Sequence, residues 1–243
     1  MDTGAPFARI RWLARLGCLG LLCLFPSLLQ AQAHGLEVRP VDQLLLKAEP
    51  RQVATLAFRV RNDTGRAGQF EARPVLPPGW RLISPEYPFD LLAGETVVRF
   101  VSFFIPEGAR AGEYELVYAV NDRRQPAVRD SYGIAVQVRA LPKLQVSTLE
   151  APDFVISGED YRVSFVVRNK GNVAISADFS VSSSRGAALE PQAGTVSLAP
   201  GESKPLAVGV KGEELRENAQ DWLTLTVRST DGSLADSATV TVR

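Results

Sequence analysis

The chain repeats itself. Phe58-Arg59-Val60-Arg61-Asn62 recurs as Phe165-Val166-Val167-Arg168-Asn169, and Leu92-Ala93-Gly94-Glu95 recurs at the same offset as Ala199-Pro200-Gly201-Glu202. Gly94 therefore follows Asn62 at the same separation as Gly201 follows Asn169, and Tyr114 to Val120 aligns with Asp221 to Val227. A repeat of this length is a domain-sized unit, so two similar bodies, each with its own core, are expected. Ala140-Leu141-Pro142-Lys143 reads as a short, stiffened linker between them, which divides the chain into 34–140 and 141–243.

Within each copy the hydrophobic period is two. Leu56, Phe58 and Val60 alternate with Thr55, Ala57, Arg59 and Arg61; Tyr161, Val163, Phe165 and Val167 alternate with Arg162, Ser164, Val166 and Arg168. This is the pattern of antiparallel strands buried on one side. Asn62-Asp63-Thr64-Gly65, Asn169-Lys170-Gly171-Asn172 and Thr230-Asp231-Gly232-Ser233 supply residues that tolerate left-handed turn angles. Roughly seven short strands per copy predict an all-β chain of two tandem immunoglobulin-like antiparallel β-sandwiches. One segment reads as helical, Gly212 to Gln220, a cross-over aligned with Glu107 to Gly112.

Positions 1–33 read as a secretory signal peptide. Arg9, Arg11 and Arg15 form its positive start, Leu16 to Leu29 its apolar stretch, and Ala31-Gln32-Ala33 its cleavage pattern. That apolar stretch falls short of the ~20 residues that span a bilayer. Export to the periplasm, the cell surface or the medium is expected, with no membrane span in the mature chain.

Removal of that leader also excludes much chemistry. Both cysteines, Cys18 and Cys23, lie within it, and the one histidine, His34, would become the first mature residue. The mature chain then has no disulfide, no thiol nucleophile, no Ser-His-Asp triad and no multi-histidine metal site. The whole chain balances 27 basic against 27 acidic residues. The leader takes away only its three arginines and Asp2, so the mature surface stays near neutral and leaves no electrostatic footprint for nucleic acid. Adjacent acids such as Glu159-Asp160 and Glu213-Glu214 read as solvated charges, since glycosidases need carboxylates facing each other about 5–9 Å apart. The expected protein is not an enzyme and carries no cofactor or metal.

Val97-Val98-Arg99-Phe100-Val101-Ser102-Phe103-Phe104-Ile105 breaks the alternation. Val98, Phe100 and Phe104 fall on one face and Val97, Val101, Phe103 and Ile105 on the other, so a strand buried on one side would leave apolar surface uncovered. Val97, Val101, Phe103 and Ile105 are the candidate interaction residues. On that reading Phe103→Ser leaves folding nearly intact and weakens association.

Val60-Arg61-Asn62, Leu76-Pro77-Pro78-Gly79-Trp80, Phe89-Asp90-Leu91-Leu92-Ala93-Gly94-Glu95 and Pro106-Glu107-Gly108-Ala109-Arg110-Ala111-Gly112-Glu113-Tyr114 occur in that order. Over residues 53–138 the chain resembles the NEW3-type immunoglobulin-like domain, associated with alpha-galactosidases and common in exported bacterial proteins. The second copy keeps the Asn and Pro-Gly-Glu turns but lacks the Pro-Gly-Trp block. The resemblance implies a non-catalytic spacer or interaction module of the cell envelope, bound to a protein partner, with Trp80 and Tyr114 as packing or corner residues. The chain ends on the last strand of the second copy, which fits either a whole two-domain spacer or the front part of a longer envelope protein. In outline it is also similar to the periplasmic chaperones of pilus assembly, which work by strand donation. A carbohydrate-binding accessory role is the remaining alternative.

Overall fold

The computed structural model describes residues 35–41, 45–214 and 219–243. The expected leader, 1–33, with its cysteines, and His34 lie outside the described residues. The described residues are all strand, turn and irregular chain, with no helix among them. Part of the expected helix, 215–218, is likewise outside them, and its flanks, 212–214 and 219–220, are irregular.

The first copy forms β1 (Leu36–Pro40), β2 (Leu45–Ala48), β3 (Val53–Asn62), β4 (Gly68–Val75), β5 (Arg81–Leu82), β6 (Phe89–Leu91), β7 (Thr96–Phe104), β8 (Gly112–Asp122) and β9 (Arg129–Val138). They make two facing sheets, ordered β1-β3-β7-β5 and β2-β9-β8-β4-β6. The second copy forms β10 (Leu144–Glu150), β11 (Tyr161–Asn169), β12 (Ile175–Ser183), β13 (Leu189–Glu190), β14 (Ala193–Leu198), β15 (Ser203–Val210), β16 (Asp221–Ser229) and β17 (Ala235–Val242), ordered β10-β11-β15-β13 and β14-β12-β16-β17. Each half is thus an immunoglobulin-like sandwich. One pairing departs from the antiparallel expectation: β2 runs parallel to β9, because the first edge of the chain crosses from one sheet to the other.

The alternating side chains close two separate cores, one drawn from residues 36–138 and one from 146–242. In the first, Phe58 stacks on Tyr118 at 4.4 Å between ring centres, and Trp80 lies 5.6 Å from Phe103 and 5.2 Å from Tyr114. The Tyr114 hydroxyl donates to the Arg110 carbonyl at 2.9 Å, the corner bond that fixes where a strand enters such a sandwich. Trp80 and Tyr114 are packing and corner residues.

The repeated Asn and Gly-Glu prove to be one polar knot, built twice. Asn62 is fully buried, and its side-chain amide donates to the carbonyls of Arg66, Leu91 and Leu92 at 2.8, 3.2 and 3.0 Å while its oxygen accepts from Thr64 N–H at 3.0 Å. Asn169 donates to the carbonyls of Val173 and Leu198 at 2.8 and 3.1 Å and accepts from Gly171 N–H at 2.9 Å. The Gly-Glu turn closes against the same residue. Gly94 N–H reaches Asn62 O at 2.7 Å and Gly201 N–H reaches Asn169 O at 3.1 Å. Gly94 and Gly201 sit at φ of 74° and 77°, a region open to glycine at no steric cost. Glu95 and Glu202 accept from Leu92 and Ala199 N–H at 2.6 and 2.7 Å. Buried polar groups must find partners, so Asn is required at both positions.

Asn172 ties the two halves together. Its side chain accepts from Leu141 N–H at 2.7 Å and donates to Arg139 O at 2.8 Å, while its carbonyl accepts from Ala111 N–H at 2.9 Å. The linker, the first sandwich's cross-over loop and the second sandwich's turn therefore meet at one buried residue. A Cβ on the neighbouring Gly171 would meet the Leu141 carbonyl and Lys143 nitrogen, which leaves room there for glycine alone.

Candidate contact surface

β7 brings its two faces to opposite environments. Val101, Phe103 and Ile105 are completely buried in the first core, with Phe103 under Trp80, and Val97 packs half-buried against the same core. These sequence-chosen contact residues are therefore interior ones, and Phe103→Ser is an unfolding change instead of a surface change. The exposed apolar members of β7 are Val98, at 43%, and Phe100, at 64%. The physical reason is Arg99. It shares its parity with Val97, Val101 and Phe103, so simple alternation turns that face to water; in the fold Arg99 bends inward instead.

Arg99 lies 4.6 Å over the Phe89 ring and reaches the Glu86 carboxylate at 3.4 Å. The pair sits at the edge between the sheets, beside the buried hydroxyl of Tyr118. Among the described residues, Arg99 Nε and the Tyr118 hydroxyl are both buried with no hydrogen-bond partner. Burial raises the Glu86 carboxyl above its usual pKa against the pull of Arg99. Burial, helped by the Glu86 charge, pushes Tyr118 up to about 12. This cluster was not legible in the sequence, because Glu86 and Arg99 meet only when the 83–88 loop folds over β7. Among the described residues no group of three or more His, Cys, Asp or Glu side chains gathers as a metal site would require.

Strand register assembles the outward face of the β1-β3-β7-β5 sheet. Val98 stands opposite Arg59, Phe100 opposite Ala57, and Phe104 opposite Val53. Val98 and Phe100 therefore form a small apolar patch on β7 beside Arg59 and Ala57, while Val53, 55% exposed and opposite Phe104, lies farther along the sheet beyond the exposed Thr55–Ser102 hydroxyl pair. Arg59, Arg39 and Arg61 border it at one end, whereas Arg81, 5.8 Å over the Phe104 ring, lies at the other end of the sheet beside Val53. Arg39 stands directly opposite Arg59, a like-charge cross-strand pair that weakens a sheet. Arg61 pairs with Asp63 at 2.8 Å and Arg39 with Glu37 at 3.5 Å, both exposed and hence weak.

The far end of the second sandwich has the opposite character. Leu149, Phe154 and Ile156 are exposed there, Phe154 at 76%. The run from Glu150 to Asp160 holds four acids, Glu150, Asp153, Glu159 and Asp160, and no base. It borders a cavity of about 80 Å³ lined by Ile156, Tyr161, Arg185, Lys211, Asp221 and Arg243 among others. Lys211 is held by Asp160 at 2.5 Å. Asp221 occupies the place that aligns with Tyr114 and fixes the corner differently, accepting from the Ser183 and Ser184 hydroxyls at 2.7 and 2.8 Å. Burial, with the Asp221 charge, raises Tyr161 to about 12.

No family model matches the chain, and no curated protein matches it. Among solved structures it is similar to a CARDB domain from Pyrococcus furiosus, determined in complex with di-metal ions, at 22% identity and TM-score 0.35, over 42% of this chain and 86% of that one. It is similar at 16% identity and TM-score 0.32 to a protein of unknown function from Porphyromonas gingivalis, over 86% of this chain and 99% of that one. It is also similar at 13% identity and TM-score 0.35 to Salmonella alpha-2-macroglobulin, over 86% of this chain and 16% of that one.

Proposed function

We propose that the protein is an exported, non-enzymatic immunoglobulin-like module of the bacterial cell envelope that works by protein contact. One observation carries the reading: Phe100, at 64% exposure, and its neighbour Val98 form an apolar centre beside Arg59 and Arg39 on an otherwise complete sandwich. Surfaces of that composition are interaction sites more often than bare exterior. The resemblance of residues 53–138 to the NEW3-type domain and the leader-like segment 1–33 support the envelope setting. Strand donation, the mechanism of a pilus chaperone, has less to work with. The edges of the first sandwich, β1, β5, β2 and β6, are 5, 2, 4 and 3 residues long, and its final strand β9 is paired on both sides.

A photo-crosslinking residue at position 100, expressed in the native host with its leader, tests this. The expected result is a discrete adduct in the envelope fraction that disappears in an Arg59→Glu background. Retention in the cytoplasm, or the same adduct pattern from a crosslinker placed on the opposite sheet at position 117, would overturn it.

A further inference from the structure

We infer that the contact face of one molecule receives the acidic tip of a second copy of the same chain, so that copies join head to tail. The inference rests on the reading of the β7 face as a contact surface and names its partner.

The two surfaces are complementary in both parts of their chemistry. The face presents Phe100 and Val98 beside Arg59 and Arg39, the latter in an exposed 3.5 Å pair with Glu37; the tip presents Phe154, Ile156 and Leu149 among Glu150, Asp153 and Glu159. Asp160 is set aside because Lys211 already engages it. Arg59 has no ion pair among the described residues, and its cross-strand neighbour is Arg39. A carboxylate docked against Arg59 gains a charge-assisted hydrogen bond there and can share Arg39 with the exposed Glu37. The bases nearest the tip, Arg185, Lys211 and Arg243, line the cavity beside it, while Glu150 and Asp153 stay exposed outside that lining.

Geometry makes the contact intermolecular. β10 leaves the junction at Leu144 and runs to Glu150, about 20 Å away at some 3.3 Å per residue. The tip is then pinned at that end by Val155 N–H to Arg243 O, 2.7 Å, and Arg243 N–H to Asp153 O, 3.2 Å. Asn172 holds the junction at the other end. A chain's own tip thus points away from its own first sandwich. Because face and tip are different surfaces, the contact is heterologous: each copy offers one of each, and assembly proceeds past a dimer to a ring or an open string.

Sedimentation velocity of the purified protein, up to roughly 0.1 mM, reads this directly. The expected result is concentration-dependent growth beyond dimer mass that recedes when salt rises from about 0.05 to about 0.5 M. Arg59→Glu and Asp153→Arg each weaken self-association by about tenfold or more, and the double variant restores it. All these positions are exposed, so circular-dichroism melts should match the parent. A parent that stays monomeric, or self-association untouched by both single variants, overturns the inference. If the position-100 crosslinker captures a different envelope protein and no second copy, self-docking is overturned while the contact reading stands. If it captures nothing, both fall.

Discussion

In the first sandwich Phe58 lies on Tyr118 and Trp80 spans Phe103 and Tyr114; in the second the same space is filled by Val163, Val167, Val208, Leu223, Leu225 and Val227 around Phe165. Every close ring pair among the described residues is in the first half. The corner differs too, a tyrosine hydroxyl in one and a serine-bound aspartate in the other. What does not differ is the asparagine knot. Cores accept many fillings of equal volume and apolarity, whereas buried carbonyls accept few donors. The repeat survives in sequence where it serves backbone hydrogen bonds and fades where it serves packing.

The sharpest way to break the comparison is to empty each core. Phe103→Ser or Phe58→Ala should cost about 3–5 kcal/mol, and Phe165→Ala a similar amount, read as shifts in urea midpoint with tryptophan fluorescence and backbone ellipticity. A loss below ~1 kcal/mol at Phe103 would return that residue to the surface. The knots come next. Asn62→Ala and Asn169→Ala should each cost about 1–3 kcal/mol through stranded carbonyls, and Asn62 more, since it serves three carbonyls and Asn169 two. Equal losses would mean that the third bond adds nothing.

Tyr114→Phe should cost about 1 kcal/mol, the usual net worth of one hydrogen bond, while leaving ring packing on Trp80 intact. The smallest effect is electrostatic. Asp231, in the turn between β16 and β17, accepts from the Ser229 hydroxyl at 2.6 Å, Ser233 N–H at 3.0 Å and the Ser233 hydroxyl at 2.8 Å. These bonds lower its carboxyl from 3.8 to about 2. A depressed carboxylate contributes stability above its unfolded pKa and loses it as pH falls through the folded one. Asp231 should therefore titrate by NMR at about 2, and Asp231→Asn should remove a stability increment that is present above the unfolded pKa and gone below the folded midpoint. A normal midpoint would show the turn open in solution.

Much of the fold was legible. Period-two alternation at Leu56–Val60 and Tyr161–Val167 placed real strands, and the shared spacing from Asn to Gly-Glu marked the two knots. The parallel pairing of β2 with β9 was not legible, because edge crossing leaves no mark on so short a strand. Nor was the outward face of β7. An arginine normally marks a solvent face, and Arg99 does not, because Phe89 of β6 and Glu86 of the 83–88 loop cover it. Arg99, half-buried and paired with Glu86, shares the core-facing side of the strand with Val101 and Phe103. Phe100 and the arginines beside it therefore emerge only once register sets Arg59 opposite Val98 and Ala57 opposite Phe100.

Side-chain carbene footprinting at Phe100 tests the contact account most directly, comparing the dilute purified protein with the protein in intact envelopes. The account predicts strong labelling of Phe100 and Val98 in dilute solution and marked protection in the envelope, with Trp222, exposed on the other sandwich, labelled equally in both. Equal labelling of Phe100 in the two settings would contradict it.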